Sequence, residues 1–150
     1  MGIAASGLRA FAGLYLMDSG EGLPEAMRQG TDAALAETEA LGDLYDGAAE
    51  GRLRYALNPR FILTCSDPLW TGLRDLALRR GWPVHTHALE QQDETAVVRS
   101  LKGGRDEIHC FDDQGLLSTD PSLTASGSPT GISAGCGTMA RASFTAPAPT

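Results

Sequence analysis

The sequence predicts an α/β fold built around a parallel β-sheet. Along the first 120 residues, three apolar stretches typical of strands alternate with stretches typical of helices. Such alternation indicates βαβ units, in which neighbouring strands run parallel. Polar and aromatic side chains follow the ends of the strand-like stretches. Because ligands of parallel sheets bind at the carboxyl ends of the strands, we expect a functional site at that edge.

The first strand-like stretch, residues 7–18, is almost continuously apolar and ends at Asp18. This composition predicts a strand that is covered on both faces. After a glycine-rich break, the spacing of Ala and Leu over residues 31–44 predicts an amphipathic helix. Thr31 and Asp32 are both residue types that cap helices, and either of them can begin this one.

The second strand-like stretch, residues 53–61, contains Pro59, which has no N–H to donate to a sheet. Arg60 and Phe61 are therefore expected at the point where this strand leaves the sheet. That position sets an exposed guanidinium beside an aromatic face. An alternative stays open, in which Phe61 caps the core and Arg60 is only solvated.

Two more helices are predicted. Ser66 or Asp67 caps the first of them, Pro68 suits its first turn, and a stripe of apolar residues follows. The second covers about residues 92–101 and stops at a pair of glycines. Residues 106–117 form a further short helical or loop segment. With the strands, these segments give the order strand, helix, strand, helix, strand, helix.

The third strand-like stretch carries the motif Val-His-Thr-His-Ala-Leu-Glu at residues 84–90. It follows a Gly-Trp-Pro turn and reads as a short buried strand. Side chains at i and i+2 of a strand project to the same face, so His85 and His87 face the same way, and Glu90 lies just beyond. One metal ion or one substrate could meet all three groups. The alternative is that both histidines are ordinary residues near a strand end, with local partners.

The composition excludes several classes of function. The net charge is −7 and the 12 Lys and Arg residues are not clustered, which argues against nucleic-acid and anionic-membrane partners. No apolar run is long enough to span a bilayer, and the amino end lacks the basic flank of a secretory signal. Cys65, Cys110 and Cys136 form no CxxC pair. They fit a reducing compartment and exclude a cysteine-based zinc finger, so we expect a cytoplasmic protein.

The carboxyl end differs in composition from the rest of the chain. Residues 121–150 consist mostly of Ala, Ser, Thr, Gly and Pro, with Arg141 as the only charged residue. This composition predicts a flexible or disordered low-complexity tail. The chain is therefore divided into a folded α/β part, residues 1–120, and the tail.

Several motifs in a fixed order resemble the amidohydrolase superfamily, in particular its branch of guanine deaminases and atrazine or triazine chlorohydrolases. The similarity covers about residues 7–117. The matching pieces are the GLRAFAGLYLMD opening, Glu37-Thr38-Glu39, Pro59-Arg60-Phe61, Leu63, Cys65-Ser66, Leu69 and the Thr-His-x-x-Glu of residues 86–90. Their joint occurrence is much more specific than any one of them.

The resemblance implies a metal-dependent (β/α)8 TIM barrel that hydrolyses a C–N bond of a heteroaromatic ring. In such an enzyme a bound zinc or iron ion lowers the pKa of a water molecule, and the hydroxide attacks the amino-bearing carbon. By match to the family motif, His87 is expected to bind the metal and Glu90 to shuttle protons. Arg60 and Phe61 match the pair that holds the purine. His85 matches no family ligand and is expected to be a further substrate-pocket residue.

The chain is expected to contain only the central part of such a barrel, about strands 3 to 5, because a complete barrel takes about 250 residues. The family's first-strand His-x-His is absent, and Ala125-Ser126-Gly127 stands where the sixth-strand histidine is expected. Serine is a poor zinc ligand, and one matched histidine cannot hold the metal alone. We therefore expect a partial or frame-disrupted product of a longer deaminase gene, or a natural short protein with a degenerate site.

Different functions stay open at this point. The first is an aminohydrolase for a small heteroaromatic molecule, such as guanine, an oxidised purine, a pterin or a triazine, with the Pro-Arg-Phe motif favouring a purine. The second is a non-catalytic α/β fragment that self-associates into a homo-oligomer or binds a partner, since the open edges of a short sheet favour pairing. A doubly wound binding domain unrelated to deaminases is a third alternative.

Overall fold

The computed structural model describes residues 2–119 and 124–126, and it has the predicted α/β class with parallel strand pairs. In chain order the elements are α1 (Gly2–Ala5), β1 (Ala10–Ala12), β2 (Tyr15–Leu16), a 3-10 turn (Glu25–Met27), α2 (Thr31–Tyr45), α3 (Ala48–Gly51), β3 (Leu53–Tyr55), β4 (Asn58–Pro59), α4 (Asp67–Arg80), β5 (His85–His87), α5 (Gln92–Leu101), α6 (Glu107–Asp113), α7 (Leu116–Thr119) and β6 (Thr124–Ser126). Of the predicted tail, only β6 falls within the described residues.

The six strands occupy four parallel positions that lie side by side in chain order. The first position holds β1 and β2, the second β3 and β4, the third β5 and the fourth β6. β1 pairs with β3, β2 with β4, and β5 with β6. A bridge between Leu57 and Val84 joins the second position to the third, and His85 N donates to the Leu57 carbonyl over 2.8 Å. Sequential parallel neighbours are the arrangement found in a (β/α) barrel. The described strands form part of such an arrangement and do not close into a barrel.

The two long helices, α2 and α4, pack against each other, and each has a glycine that lies against a large apolar side chain. A Cβ on Gly42 of α2 would lie 2.1 Å from Trp82 Cη2, and a Cβ on Gly72 of α4 would lie 2.4 Å from Leu35 Cδ1. Since no real Cβ approaches so closely, a larger residue at either position would force its neighbour to move. The cost is greater at Gly42, where the neighbour is the buried indole of Trp82, than at Gly72, where it is the flexible end of Leu35. Trp82 then meets Tyr55 of β3 edge to face, with the ring centroids 5.1 Å apart. The helices are thereby fixed on one face of the sheet.

The hydrophobic core lies between this face of the sheet and the helices. Its fully buried aromatic residues, Trp70 of α4 and Phe111 of α6, have ring centroids 5.1 Å apart. The aliphatic residues with no exposed surface are Leu16, Leu57, Leu69, Leu73, Ala88 and Val98. No helix in the described part of the chain combines the length and apolar character needed to cross a membrane.

The expectation of one first strand covered on both faces is wrong. The segment forms two short strands, β1 and β2, and residues 53–61 likewise divide into β3 and β4. Phe11 in β1 is 66% exposed, whereas Leu16 in β2 is fully buried. Continuous apolar character indicated burial on both sides, but the described part of the chain supplies helices on only one side.

The predicted helix starts have different outcomes. For α4 the prediction of Ser66 is confirmed, because its hydroxyl accepts from Leu69 N at 3.2 Å. For α2 the prediction of Thr31 or Asp32 is wrong. The residue before the helix is Gly30, which offers no side-chain cap. The Thr31 hydroxyl instead donates to Asp18 Oδ2 over 2.6 Å. The hydroxyl that the local sequence predicted as a helix cap is therefore used in a tertiary contact.

Candidate functional site

A cleft of about 500 Å³ opens at the carboxyl ends of β2, β4 and β5. This is the edge of the sheet at which the sequence predicted a site. The residues lining the cleft are Tyr15, Arg60, Phe61, Leu63, His87, Glu90, Gln91, Asp93, Glu94 and Val97. Four of the five predicted site residues therefore meet in one place, because three neighbouring parallel strands end there.

His87 is the last residue of β5, and its ring is fixed by the backbone of the neighbouring strand position. Its Nδ1 lies 3.0 Å from the carbonyl oxygen of Arg60, and its backbone N–H donates to that oxygen at 3.0 Å. A carbonyl oxygen only accepts, so Nδ1 carries the proton and Nε2 of the neutral ring keeps a lone pair. The ring of Tyr15 meets the imidazole edge to face at 6.5 Å. His87 thus has one ring nitrogen available to a ligand.

Arg60 and Phe61 follow β4, as the proline-based prediction required. The guanidinium carbon of Arg60 lies 5.3 Å from the centroid of the Phe61 ring, a cation–π contact. Its Nη1 also donates to Met17 Sδ over 3.6 Å. No carboxylate among the described side chains forms an ion pair with Arg60, since the described pairs all use other cations. The cleft therefore holds a half-buried cation with donors to spare beside an aromatic face.

Glu90 reaches the cleft because the chain turns sharply after β5. Leu89 has a φ of 56°, a left-handed conformation that is strained for a bulky residue. Its side chain is 5% exposed, and this burial holds the turn in place. Glu90 itself is exposed and lines the cleft with His87. An exposed carboxylate beside an imidazole is able to exchange protons with a bound ligand.

Glu94, in the first turn of α5, is a cleft residue to which the sequence analysis assigned no role. Burial is the largest cause that raises its pKa, followed by the charges of Glu107 and Glu90, while His87 and Arg60 act in the opposite direction. The only signal for it in the sequence was its place one turn beyond Glu90. The sequence does not predict Tyr15 as a cleft residue either, because the apolar stretch around it predicts a strand covered on both faces.

His85 does not line the cleft, which corrects the expectation that one ligand meets His85, His87 and Glu90 together. It is exposed, and its Nδ1 lies 3.2 Å from Asn58 Oδ1. The two imidazole centroids are 6.1 Å apart on the same face of β5. Partial burial and the neighbouring His87 lower the pKa of His85. It faces a second cavity toward the amino ends of the strands, with Phe11 and Arg54.

Asp18, expected at the same rim, has a structural role instead. Its Oδ1 accepts from Ser66 N at 2.7 Å, and its Oδ2 accepts from the hydroxyls of Ser66 and Thr31, both at 2.6 Å. The carboxylate therefore connects the end of β2 to the starts of α2 and α4. It does not line the cleft.

The described residues do not form a metal site. No three His, Cys, Asp or Glu side chains within residues 2–119 and 124–126 come together as a possible ligand set. In the register of β5 and β6, Ser126 stands opposite His87, which is the position where the resemblance implies a second histidine. A catalytic zinc ion is typically held by about three protein ligands, and the imidazole of His87 supplies only one.

The fold and the cleft define part of a parallel α/β protein with a ligand site at the strand ends. Comparison with known proteins shows which family this part resembles. No protein-family model matches the chain. Over 105 residues it is 33% identical to a 5-methylthioadenosine/S-adenosylhomocysteine deaminase of Desulfovibrio desulfuricans, covering 70% of this chain and 22% of that protein. Over 121 residues it is 29% identical to the guanine deaminase of Homo sapiens, covering 81% and 26%. The chain spans about a quarter of the length of these curated relatives.

Solved structures give the same result. A guanine deaminase from C. acetobutylicum with guanine in its active site superposes with a TM-score of 0.75 and 28% identity, over 83% of this chain and 29% of that one. An atrazine chlorohydrolase from Arthrobacter aurescens, complexed with zinc and atraton, has a TM-score of 0.72 at 20% identity, over 83% and 28%, which supports the fold alone. The predicted resemblance to the guanine deaminase and triazine hydrolase branch of the amidohydrolases is confirmed, over a part of those enzymes.

Proposed function

We propose that this chain is a segment of a hydrolytic deaminase and that its cleft binds a heteroaromatic ring such as guanine. The observation that carries the proposal is the meeting of Arg60, Phe61, His87 and Glu90 in one cleft. The relatives add support, because they are deaminases of guanine and of adenosine derivatives by name. The Pro-Arg-Phe motif favours a purine over a pterin or a triazine.

Each residue has a distinct role in this proposal. Phe61 packs against the flat face of the ring, and Arg60 donates hydrogen bonds to an exocyclic oxygen. Glu90 takes one proton from the attacking water and gives it to a ring nitrogen. It then moves the second proton of that water to the amino group, so that the C–N bond breaks, ammonia leaves and the new C–O bond becomes a carbonyl. His87 orients its unprotonated Nε2 toward the reacting edge of the ring.

The metal remains the incomplete part of the site. In the proposal His87 contributes one ligand to a zinc or iron ion, but the described residues supply no ligand set to accompany it. The chemistry that a metal would supply, activation of water, therefore needs ligands beyond these residues. We expect the isolated chain to bind guanine and to release no ammonia from it.

Equilibrium dialysis of the purified chain against guanine tests the proposal. Arg60→Ala and Phe61→Ala are each expected to weaken binding by about tenfold, the effect of about 1.4 kcal/mol. His85→Ala is the matched control, since its side chain lies outside the cleft, and it should bind as the wild type does. Absence of guanine binding, or binding that neither cleft variant changes, would refute the proposal.

A second candidate function is self-association of a non-catalytic fragment. The sheet face opposite the helices is uncovered in the described chain, and Phe11 on it is 66% exposed. A cavity of about 530 Å³ on this face is lined by Phe11, Arg54 and His85, among others. An apolar face beside an open parallel edge favours contact with a second copy.

Sedimentation equilibrium distinguishes this candidate from the first. A dimer that Phe11→Ser converts to a monomer supports self-association through the uncovered face. The matched control is Leu78→Ser, because Leu78 is similarly exposed at 55% but lies on α4. A wild-type monomer at all concentrations excludes self-association and leaves the ligand-binding proposal unaffected.

A further inference from the structure

Tyr15 is a cleft residue to which the proposed function assigns no role. It is the first residue of β2, and its side chain lines the cleft with Arg60 and His87. The residue is 41% exposed, and its ring meets the His87 imidazole edge to face with the centroids 6.5 Å apart. An exposed aromatic ring on the wall of a cleft has its surface available to a ligand.

The pairing of the strands shows how deep in the cleft Tyr15 lies. Tyr15 stands opposite Asn58. The parallel bridge between Leu57 and Val84 sets the next residue pair, Asn58 and His85, opposite each other, and His85 Nδ1 lies 3.2 Å from Asn58 Oδ1. Tyr15, Asn58 and His85 therefore form one row across the first three strand positions, which we call the lower row.

A second row lies nearer the carboxyl ends of the strands. Side chains two residues apart on a strand project to the same face, so this row consists of Met17, Arg60 and His87, and we call it the upper row. Neighbours in it are in contact, since Arg60 Nη1 donates to Met17 Sδ over 3.6 Å and His87 N donates to the Arg60 carbonyl over 3.0 Å. Because the cleft opens at the carboxyl ends, the lower row lies beneath the upper row.

The ring of Tyr15 extends across the sheet. Tyr15 belongs to the first strand position and His87 to the third, and strands two positions apart are separated by about 10 Å. The two ring centroids are nevertheless only 6.5 Å apart, so the two side chains extend toward each other over the second position. Arg60 follows the strand at that position. The Tyr15 ring thus lies at the bottom of the space between Arg60 and His87.

The proposed function determines which edge of guanine faces this space. Arg60 donates to the exocyclic oxygen on C6, and His87 faces the amino-bearing carbon C2. N1 lies between C6 and C2, so a base held by Arg60 and His87 together turns its N1 edge toward the lower row. The five-membered ring, on the opposite side of the base, then points to the open end of the cleft.

We propose that Tyr15 is the floor of the cleft and a specificity-determining residue, which contacts the N1 edge of the base and leaves no space for a substituent there. The inference rests on the proposed function, because the orientation of guanine is taken from it. Bases with an unsubstituted N1 edge are accepted, and bases alkylated on N1 are excluded. Substituents on N9 of the five-membered ring are tolerated.

Equilibrium dialysis against guanine, 1-methylguanine and 9-methylguanine tests the role of Tyr15. The wild type should bind guanine and 9-methylguanine alike and 1-methylguanine about tenfold more weakly, because the methyl group on N1 overlaps the Tyr15 ring. Tyr15→Ala should bind guanine about threefold more weakly, since an aromatic contact is lost, and should bind 1-methylguanine as well as guanine. Tyr15→Val, which keeps a residue that favours strands, should give the same result should Tyr15→Ala not fold. Tyr15→Phe keeps the ring and should exclude 1-methylguanine as the wild type does.

The matched control is Tyr45→Ala, because Tyr45 is 46% exposed at the end of α2 and lies outside the cleft. It should bind all three bases as the wild type does. Equal wild-type affinities for guanine and 1-methylguanine overturn the role of Tyr15 and leave the proposed function intact. The same holds for a preference that Tyr15→Ala and Tyr15→Val retain, or that Tyr15→Phe loses. No binding of guanine by the wild type overturns the proposed function and this inference together.

Discussion

The Nδ1 atom of His87 donates its proton to the carbonyl oxygen of Arg60 over 3.0 Å, and this single contact sets the chemistry of the imidazole. Because the proton is held on the side of the backbone, the lone pair of Nε2 is left for a ligand. The same carbonyl oxygen accepts from the His87 backbone N–H and from the Thr86 hydroxyl, at 3.0 and 3.1 Å. The backbone of Arg60, the purine-binding candidate that follows β4, therefore also orients the metal-binding candidate His87.

His87→Asn should retain stability that His87→Ala loses. The amide of asparagine places an N–H near the position of Nδ1 and keeps the bond to the carbonyl, whereas alanine has no donor. We expect the free energy of unfolding to fall by about 1 kcal/mol in His87→Ala and by much less in His87→Asn. Urea denaturation measures both values. Equal losses in the two variants would show that the ring packing, and not the hydrogen bond, stabilises this strand end.

Asp18→Ala should destabilise the chain more than Asp32→Ala, a substitution in the first turn of α2. The Asp18 carboxylate accepts three hydrogen bonds, two from Ser66 and one from Thr31, and alanine leaves these donors unpaired. We expect a loss of about 2–4 kcal/mol, since bonds to a charged group are strong. Asp32→Ala is the control, because Asp32 is exposed and makes no capping bond, and it should lose about 0.5 kcal/mol or less. Chemical denaturation of both variants checks the difference.

The residues that the sequence located correctly are those fixed by local rules. Ser66 could be predicted as a helix cap because a hydroxyl three residues before a free N–H suffices. Arg60, Phe61, His87 and Glu90 could be predicted at one edge because parallel strands end together.

The misses have tertiary causes. The contact that removes Thr31 from capping comes from Asp18, thirteen residues earlier. The burial of Glu107 depends on contact between α5 and α6. The spacing of residues within either helix does not predict which helix the other packs against. The exposure of Phe11 depends on which elements cover the sheet, and apolar character alone does not reveal that.

Gly42→Ala should destabilise the chain although alanine is the better helix former. The added Cβ would lie 2.1 Å from Trp82 Cη2, so the indole or the whole of α2 must move. Overpacking of this kind costs about 1–3 kcal/mol, which exceeds the gain of about 1 kcal/mol from helix propensity. Gly30→Ala is the control, because its Cβ would meet no atom within 4 Å. Thermal unfolding should show a clear decrease for the first variant and a small one for the second.

Alkaline conditions should destabilise the chain through Cys65. This thiol is 3% exposed and donates to the Leu16 carbonyl over 3.3 Å, and burial raises its pKa from 9.0 to about 11. A raised folded-state pKa means that the stabilising contribution is complete below pH 9.0 and is lost as the pH rises through about 11. The loss amounts to about 2–3 kcal/mol, and Cys65→Ala should remove this part of the pH dependence. Urea denaturation at a series of alkaline pH values measures it, and a wild-type stability that declines no more steeply than that of Cys65→Ala would contradict the prediction.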